Sequence, residues 1–247
     1  MPAIDLARVK VILLDIEGTT TPIEFVYQTL FPYARAHLTD FLQESSGDSE
    51  VRNAVLALKQ HREGEIRSGT TPPAWLMDTQ AAEIASAANY ALWLMDQDSK
   101  IGPLKLLQGL IWLQGYQAGQ LRGEVYPDVP AEFEHWRRQA KKIAIYSSGS
   151  ELAQKLLFST TQFGDLTRYI SNFFDTRVGA KTNAESYSRI ATIIGVPEDR
   201  FLFLSDMTGE LDAARSAGMS TTLVVRTGDD AGTAAEHPVI HSLNSLC

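Results

Sequence analysis

The stretch VKVILLDIEGTTTPIEFV, from Val9 to Val26, ends a short apolar run on a carboxylate, Asp15, and places a second, Glu17, two positions later. Side chains of an extended strand alternate, so the two acids fall on one side, just past the strand's carboxyl end. IAIYSSGS ends a second apolar run on Ser147 and Ser148, and FLFLSDMTGELDAA ends a third on Asp206, with Glu210 and Asp212 in the next helical turn. GAKTNAESY carries Lys181 in a loop ahead of a helical pattern. Each feature alone has a plain reading: a solvated turn, a serine N-cap, a solvated lysine, an acid complementing a helix dipole. Together they suit an anionic ligand. A hydroxyl beside the N–H groups of a helix start binds anions. Asp206 with Asp15 and Glu17 makes an oxygen-rich site for Mg2+, which takes one or two carboxylates plus phosphate oxygens and water.

These residues need a sheet to bring them to one edge. Val9 to Leu14 is short, β-branched and nearly continuous, as for a parallel strand covered on both faces. From Lys142 the pattern alternates: strand KIAIYSS, helix SELAQKLLF, short strand YISNFFD, helix AESYSRIATIIG, strand RFLFLSD, helix GELDAARSAG and strand STTLVVR. Gly195 and Gly218 stand at helix C-caps, and Pro197 follows as a stop. The alternation implies right-handed βαβ units and a parallel sheet with helices on both faces. Such sheets hold ligands outside the carboxyl ends of their strands. The strand ending at Asp15 joins this sheet, so the stretch between is an insertion.

That insertion is helical in texture. VYQTLFPYARAHLTDFLQ has Val26, Leu30, Tyr33, His37 and Phe41 near helical spacing, with Pro32 bending or restarting the helix. A second helix is expected with Ile84, Ala88, Ala91 and Met95 on its buried face, and a third with Leu104, Leu107, Ile111 and Gln114. RSGTTPPAW is a loop by its Gly, Thr and Pro content. Trp75, Trp93, Trp112 and Tyr116 read as core of this insertion.

The chain has 247 residues, 44% of them hydrophobic and 21% charged, and a formal net charge of −8. An acidic balance without a basic tract argues against nucleic-acid binding, which needs basic surface against phosphates. MPAIDLARVK has no signal-peptide pattern, and no apolar run approaches the ~20 residues of a membrane span. The single cysteine, Cys247, cannot form an internal disulfide, which fits a reducing cytoplasm.

The four stretches, in their order along the chain, resemble the motifs of the haloacid dehalogenase superfamily of aspartyl phosphatases. The resemblance implies an α/β Rossmann-like core of parallel strands, residues 1–24 and 126–247, with an inserted all-helical cap, residues 25–125. It implies that Asp15 is nucleophile and metal ligand. Glu17 stands where the superfamily usually has an Asp acid/base, with its backbone carbonyl on the metal. Ser147 and Ser148 bind the phosphoryl group, Lys181 neutralises it, and Asp206 holds Mg2+. Glu at that second position departs from the general pattern and narrows the family. With DIEGTTTPI, YSSGS, FDT, AESYSRIA, VVRTG and QGLIWLQGYQAGQLRGEVYPDVPAEFEHWR, the chain resembles the enolase-phosphatases, or acireductone synthases, of methionine salvage. This implies a small phosphorylated diketone substrate, an Mg2+ requirement and a cytoplasmic enzyme, expected to be a monomer. The alternatives are a phosphatase of the same superfamily for another small phosphate ester, or a non-catalytic binding protein with this fold. A dehalogenase fits less well, because that chemistry has no use for a metal-holding Asp206.

Overall fold

Short apolar runs closed by a polar residue set the central strands of the sheet, and the computed structural model describes residues 5–226 and 236–246. The chain divides into two compact units, Met1–Val26 with Arg122–Cys247, and Tyr27–Leu121. Cys247, and Thr227 and Gly228 of the VVRTG stretch, lie outside the described residues.

In the first unit β1 (Val11–Leu14) is followed by a single helical turn, α1 (Ile23–Phe25). The second unit is helical: α2 (Phe31–Glu44), α3 (Ser49–Arg67), α4 (Gln80–Asp96) and α5 (Gly102–Gln117). Pro32 sits in the first turn of α2, where its missing N–H costs nothing, so it restarts the helix after a π-helical stretch, Val26–Leu30. Asp48 caps α3 through Glu50 and Val51, and Thr79 caps α4 through Ala82. Leu104, Leu107 and Ile111 of α5 and Ala88 and Ala91 of α4 are buried as expected, and the differences lie at the edges of the two faces. In α4 the core side is Ala87, Tyr90, Ala91 and Leu94, while Ile84 and Met95 lie at its margin. In α5 Gln114 is exposed and Gly115 and Tyr116 are buried. Tyr90 and Trp112 carry more apolar area than the residues chosen for spacing, and they decide which side packs inward.

The first unit resumes with α6 (Val129–Arg138), β2 (Lys142–Tyr146), α7 (Glu151–Ser159), β3 (Asn172–Phe174), α8 (Ala184–Ile194), β4 (Phe201–Ser205), α9 (Thr208–Ser216), β5 (Ser220–Val224) and β6 (Val239–Ile240). The six strands pair in parallel in the order β3-β2-β1-β4-β5-β6. Val11, Leu13, Ala144, Tyr146, Phe201 and Phe203 share one face and pack on Tyr187 and Ile190 of α8 and Leu211 and Ala214 of α9. By alternation Ile12, Ile143 and Leu202 face the other side, and all three are fully buried.

β1 is central, and the strand order reverses on its two sides, so the crevice belongs at its carboxyl end. The register Leu14↔Ile145 and Leu14↔Leu204 puts the ends of β1, β2 and β4 level. The residues that follow at this edge are Asp15, Ser147 and Asp206. Gly195 closes α8 in the left-handed conformation as expected, whereas α9 ends on Ala217 with Gly218 one position beyond.

Candidate active site

Asp15 is buried at the mouth of this edge. Its Oδ1 accepts from the backbone N–H of Ile16 at 2.7 Å and lies 2.7 Å from Lys181 Nζ. Lys181 also lies 2.6 Å from a Glu210 carboxylate oxygen, so one ammonium bridges an acid just past β1 and one on α9. Burial by itself would lower the lysine, but Asp15 and Glu210 outweigh it and hold the ammonium above its ordinary value. Glu210 is pushed up, first by burial and then by the charge on Asp15, with Lys181 opposing. Ser205 Oγ ties the two acids together, donating to Glu210 at 3.0 Å and lying 3.4 Å from Asp15 Oδ2.

The loop that delivers Lys181 is held from beneath by two tyrosines. Tyr187 on α8 donates to the Lys181 carbonyl at 2.7 Å, and Tyr146 at the end of β2 donates to the Gly179 carbonyl at 2.9 Å. Their rings meet edge to face at 5.5 Å, and the Lys181 ammonium stands 5.9 Å over the Tyr146 ring. An aromatic floor of this kind fixes the stem of a lysine whose head must sit among carboxylates.

Asp206 faces the turn after β1. Gly18 has φ +66°, and a Cβ there would come within 2.3 Å of Asp206 Oδ2, so the absence of a side chain lets the carboxylate approach the loop. Burial, followed by the charge on Asp15, pushes Asp206 up to about 7. Lys181 is already engaged by Asp15 and Glu210. The cluster of Asp15, Asp206, Glu210 and Lys181 therefore carries an excess of negative charge when all are ionised. Among the described residues no three His, Cys, Asp or Glu side chains gather as a metal cluster. A cation here would take two carboxylates and complete its shell with carbonyl, water and substrate oxygens. That donor set fits Mg2+, which keeps water and substrate oxygens in its shell, and fits poorly a metal that needs several protein side chains.

Ser147 is buried past β2, where its Oγ accepts from the Gly149 N–H at 3.2 Å. Ser148 is half-buried beside it, and Ser150 caps α7 through the Ala153 N–H at 3.3 Å. The N-cap reading thus belongs to Ser150, leaving Ser147 and Ser148 at the sheet edge. Glu17 is half-buried in the turn, whose backbone forms an isolated bridge between Glu17 and Thr21.

The structure joins Asp15, Lys181 and Glu210 by direct contacts and sets Asp206 against Gly18. Asp212 is not part of this group: it pairs with Arg215 at 2.8 Å and His237 at 3.1 Å on the far side of α9. Glu210 was visible as an acid one helical turn after Asp206, but spacing did not separate it from Asp212. Tyr146 and Tyr187 carry no such signal, since buried tyrosines on a strand and a helix read as core.

The haloacid dehalogenase-like hydrolase family model matches residues 9–218. The chain is 44% identical over 224 residues to Enolase-phosphatase E1 of Drosophila willistoni, covering 90% of this chain and 89% of that one. It is 42% identical to Enolase-phosphatase E1 of Synechococcus elongatus, covering 96% of this chain and 98% of that one. Among solved structures, the UTR4 protein of Saccharomyces cerevisiae superposes with a TM-score of 0.77 at 35% identity, covering 96% of this chain and 100% of that chain. The chain is a phosphatase and belongs to the enolase-phosphatase family of haloacid dehalogenase-like hydrolases.

Proposed function

We propose that the protein is an Mg2+-dependent acireductone synthase of methionine salvage. It enolises 2,3-diketo-5-methylthiopentyl-1-phosphate and dephosphorylates the enol to the acireductone through an aspartyl-phosphate on Asp15. The observation that carries the reading is the buried Asp15 carboxylate 2.7 Å from the Lys181 ammonium, with Asp206 against the adjoining turn. In this proposal residues 1–24 and 126–247 supply every catalytic group and residues 25–125 act as the cap.

Asp15, Asp206 and the Glu17 backbone carbonyl would hold Mg2+. When bound, the ion supplies a Lewis acid for substrate oxygens and offsets the repulsion between a carboxylate nucleophile and a phosphate dianion. An Asp15 oxygen attacks phosphorus, forming the acyl phosphate as the bond from phosphorus to the substrate oxygen breaks. Lys181, charged throughout the neutral range, neutralises the phosphoryl oxygens, while Ser147 and Ser148 orient them at the start of α7. The Glu17 carboxyl gives its proton to the leaving oxygen. As carboxylate it then takes one from the water that hydrolyses the acyl phosphate.

The test is incubation with the diketo phosphate and Mg2+, following inorganic phosphate and the acireductone chromophore together. Equal rise of both supports the proposal. Phosphate without chromophore points to a phosphatase for another ester, and neither product overturns the assignment.

A further inference from the structure

The turn that carries Glu17 closes on itself. Its Ile16 carbonyl accepts from the N–H groups of Thr20 and Thr21 at 2.9 and 2.8 Å, Thr20 Oγ1 donates to the Asp15 carbonyl at 3.1 Å, and the Gly18 N–H donates to the Thr21 carbonyl at 2.9 Å. The buried Thr19 and Thr21 hydroxyls have no hydrogen-bond partner, so they do not tie the turn to the rest of the core. Two contacts from distant chain do. The Tyr126 N–H donates to the Thr20 carbonyl at 3.0 Å, and Arg226, just past β5, donates to the Thr19 carbonyl twice, from Nε at 2.9 Å and Nη2 at 2.6 Å.

The guanidinium is itself held. Its Nη1 pairs with Asp128 Oδ2 at 2.5 Å, and its plane stands 4.3 Å over the Tyr126 ring. The same Asp128 oxygen accepts from Ser242 Oγ and the Leu243 N–H, each at 2.7 Å. Burial opposes ionisation of Asp128, yet the bonds from Arg226, Ser242 and Leu243 keep it below its usual value. Both charges are nearly enclosed, with 6% of the Arg226 and 9% of the Asp128 side chain exposed. A surface ion pair would not sit this way. A buried planar fork delivering two parallel N–H groups to one carbonyl is an orienting device, and lysine cannot reproduce it.

We infer that Arg226, locked by Asp128, is a positioning residue that fixes the Thr19 carbonyl and through it the Glu17 carboxyl. The inference rests on the proposed role of Glu17 as acid for the leaving oxygen. An acid matters for a poor leaving group and little for a good one, so misplacing Glu17 must show as a leaving-group effect on kcat/KM, the constant that reports transfer to Asp15.

Arg226→Met alone strands a buried aspartate, so the informative variant is Arg226→Met with Asp128→Asn, which removes both charges and keeps the volume. With Mg2+ saturating for each protein, this double variant should retain kcat/KM on 2,4-dinitrophenyl phosphate within about threefold of the parent, and on the diketo phosphate it should lose about 30-fold or more, part of the 10²–10⁴ that a placed acid contributes. Arg226→Lys should recover less than half of that loss on a logarithmic scale. Amide hydrogen exchange, read on the same proteins without substrate, should quicken about tenfold in the peptide spanning 16–21 and stay unchanged in β4. Equal losses on both esters, or quickening that extends equally to β4, would make Arg226 a general prop and overturn the inference. If the parent protein ignores the diketo phosphate, the substrate assignment fails, and exchange in 16–21 still decides whether Arg226 positions the turn.

Discussion

Replacing Lys181 by methionine removes one positive charge from between two buried acids. The ammonium lies 2.7 Å from Asp15 and 2.6 Å from Glu210. At an effective dielectric constant of about 20, each contact is worth roughly 6 kcal/mol of Coulomb attraction. Desolvation of three charged groups takes much of this back, and removing one partner of a buried pair leaves a net loss of about 3–5 kcal/mol. That loss depends on pH in a defined direction. A lysine held above its ordinary 10.5 contributes stability that is complete below that value and lost only as pH rises through the folded value, so the parent's Lys181 contribution is flat from pH 5 to 8. In the variant the stranded carboxylates, Glu210 foremost, bind protons more tightly when folded than when unfolded, so stability falls as pH rises across the same range. Urea unfolding at pH 5 and pH 8 should therefore give a penalty near the upper figure at pH 8 and a clearly smaller one at pH 5. A penalty below about 1 kcal/mol, the surface-pair range, or one independent of pH, would refute the reading of Lys181 as the bridge between two buried charges.

Gly18→Ala should cost about 1–2 kcal/mol for a left-handed φ of +66° and should raise the Mg2+ concentration needed for half-maximal activity, because the new Cβ displaces Asp206; urea melts and a metal titration measure the two effects. Asp206→Asn should flatten the pH profile of metal-free stability: a carboxyl raised to about 7 makes the folded protein bind a proton that the unfolded chain releases, so the parent weakens as pH rises from about 4 to about 7 and the variant does not. The same variant should show no thermal stabilisation by Mg2+ at concentrations that stabilise the parent. Tyr187→Phe removes the 2.7 Å bond to the Lys181 carbonyl and should cost about 1–3 kcal/mol in denaturant melts, with a fall in kcat that exceeds any change in KM.

Much of the core could be read from the chain because parallel strands buried on both faces leave continuous apolar runs, and the runs of β1, β2 and β4 each end on a polar residue. The strands ending before Asp15, Ser147 and Asp206 are where the patterning puts them, and the parallel α/β core with helices is the observed fold. Four elements escaped. β6 and the single turn α1 are too short for any period to show, α3 lies in a stretch that reads only as helical in texture, and α6 lies in a stretch that carries only the family likeness. The faces of α4 and α5 were legible in Ala88, Ala91, Leu104, Leu107 and Ile111 and missed at Ile84, Met95 and Gln114, because regular spacing weighs methionine and glutamine like tyrosine, whereas burial follows area. In the site, residues that follow strand ends were legible, since topology alone brings them together. Arg226 and Asp128 were not, because their pairing joins positions far apart in sequence and is defined by which carbonyl the guanidinium reaches, a fact of three-dimensional register.

Whether Asp15 carries the phosphoryl group is decided by acid quench of the protein during turnover of the phosphorylated diketone with Mg2+, followed by peptide mass analysis. One added phosphoryl group is expected on the peptide containing Asp15, labile to hydroxylamine as an acyl phosphate is, accumulating further in Glu17→Gln and absent in Asp15→Asn. Phosphate release at the parent's rate with no label on that peptide, or turnover preserved in Asp15→Asn, would contradict it.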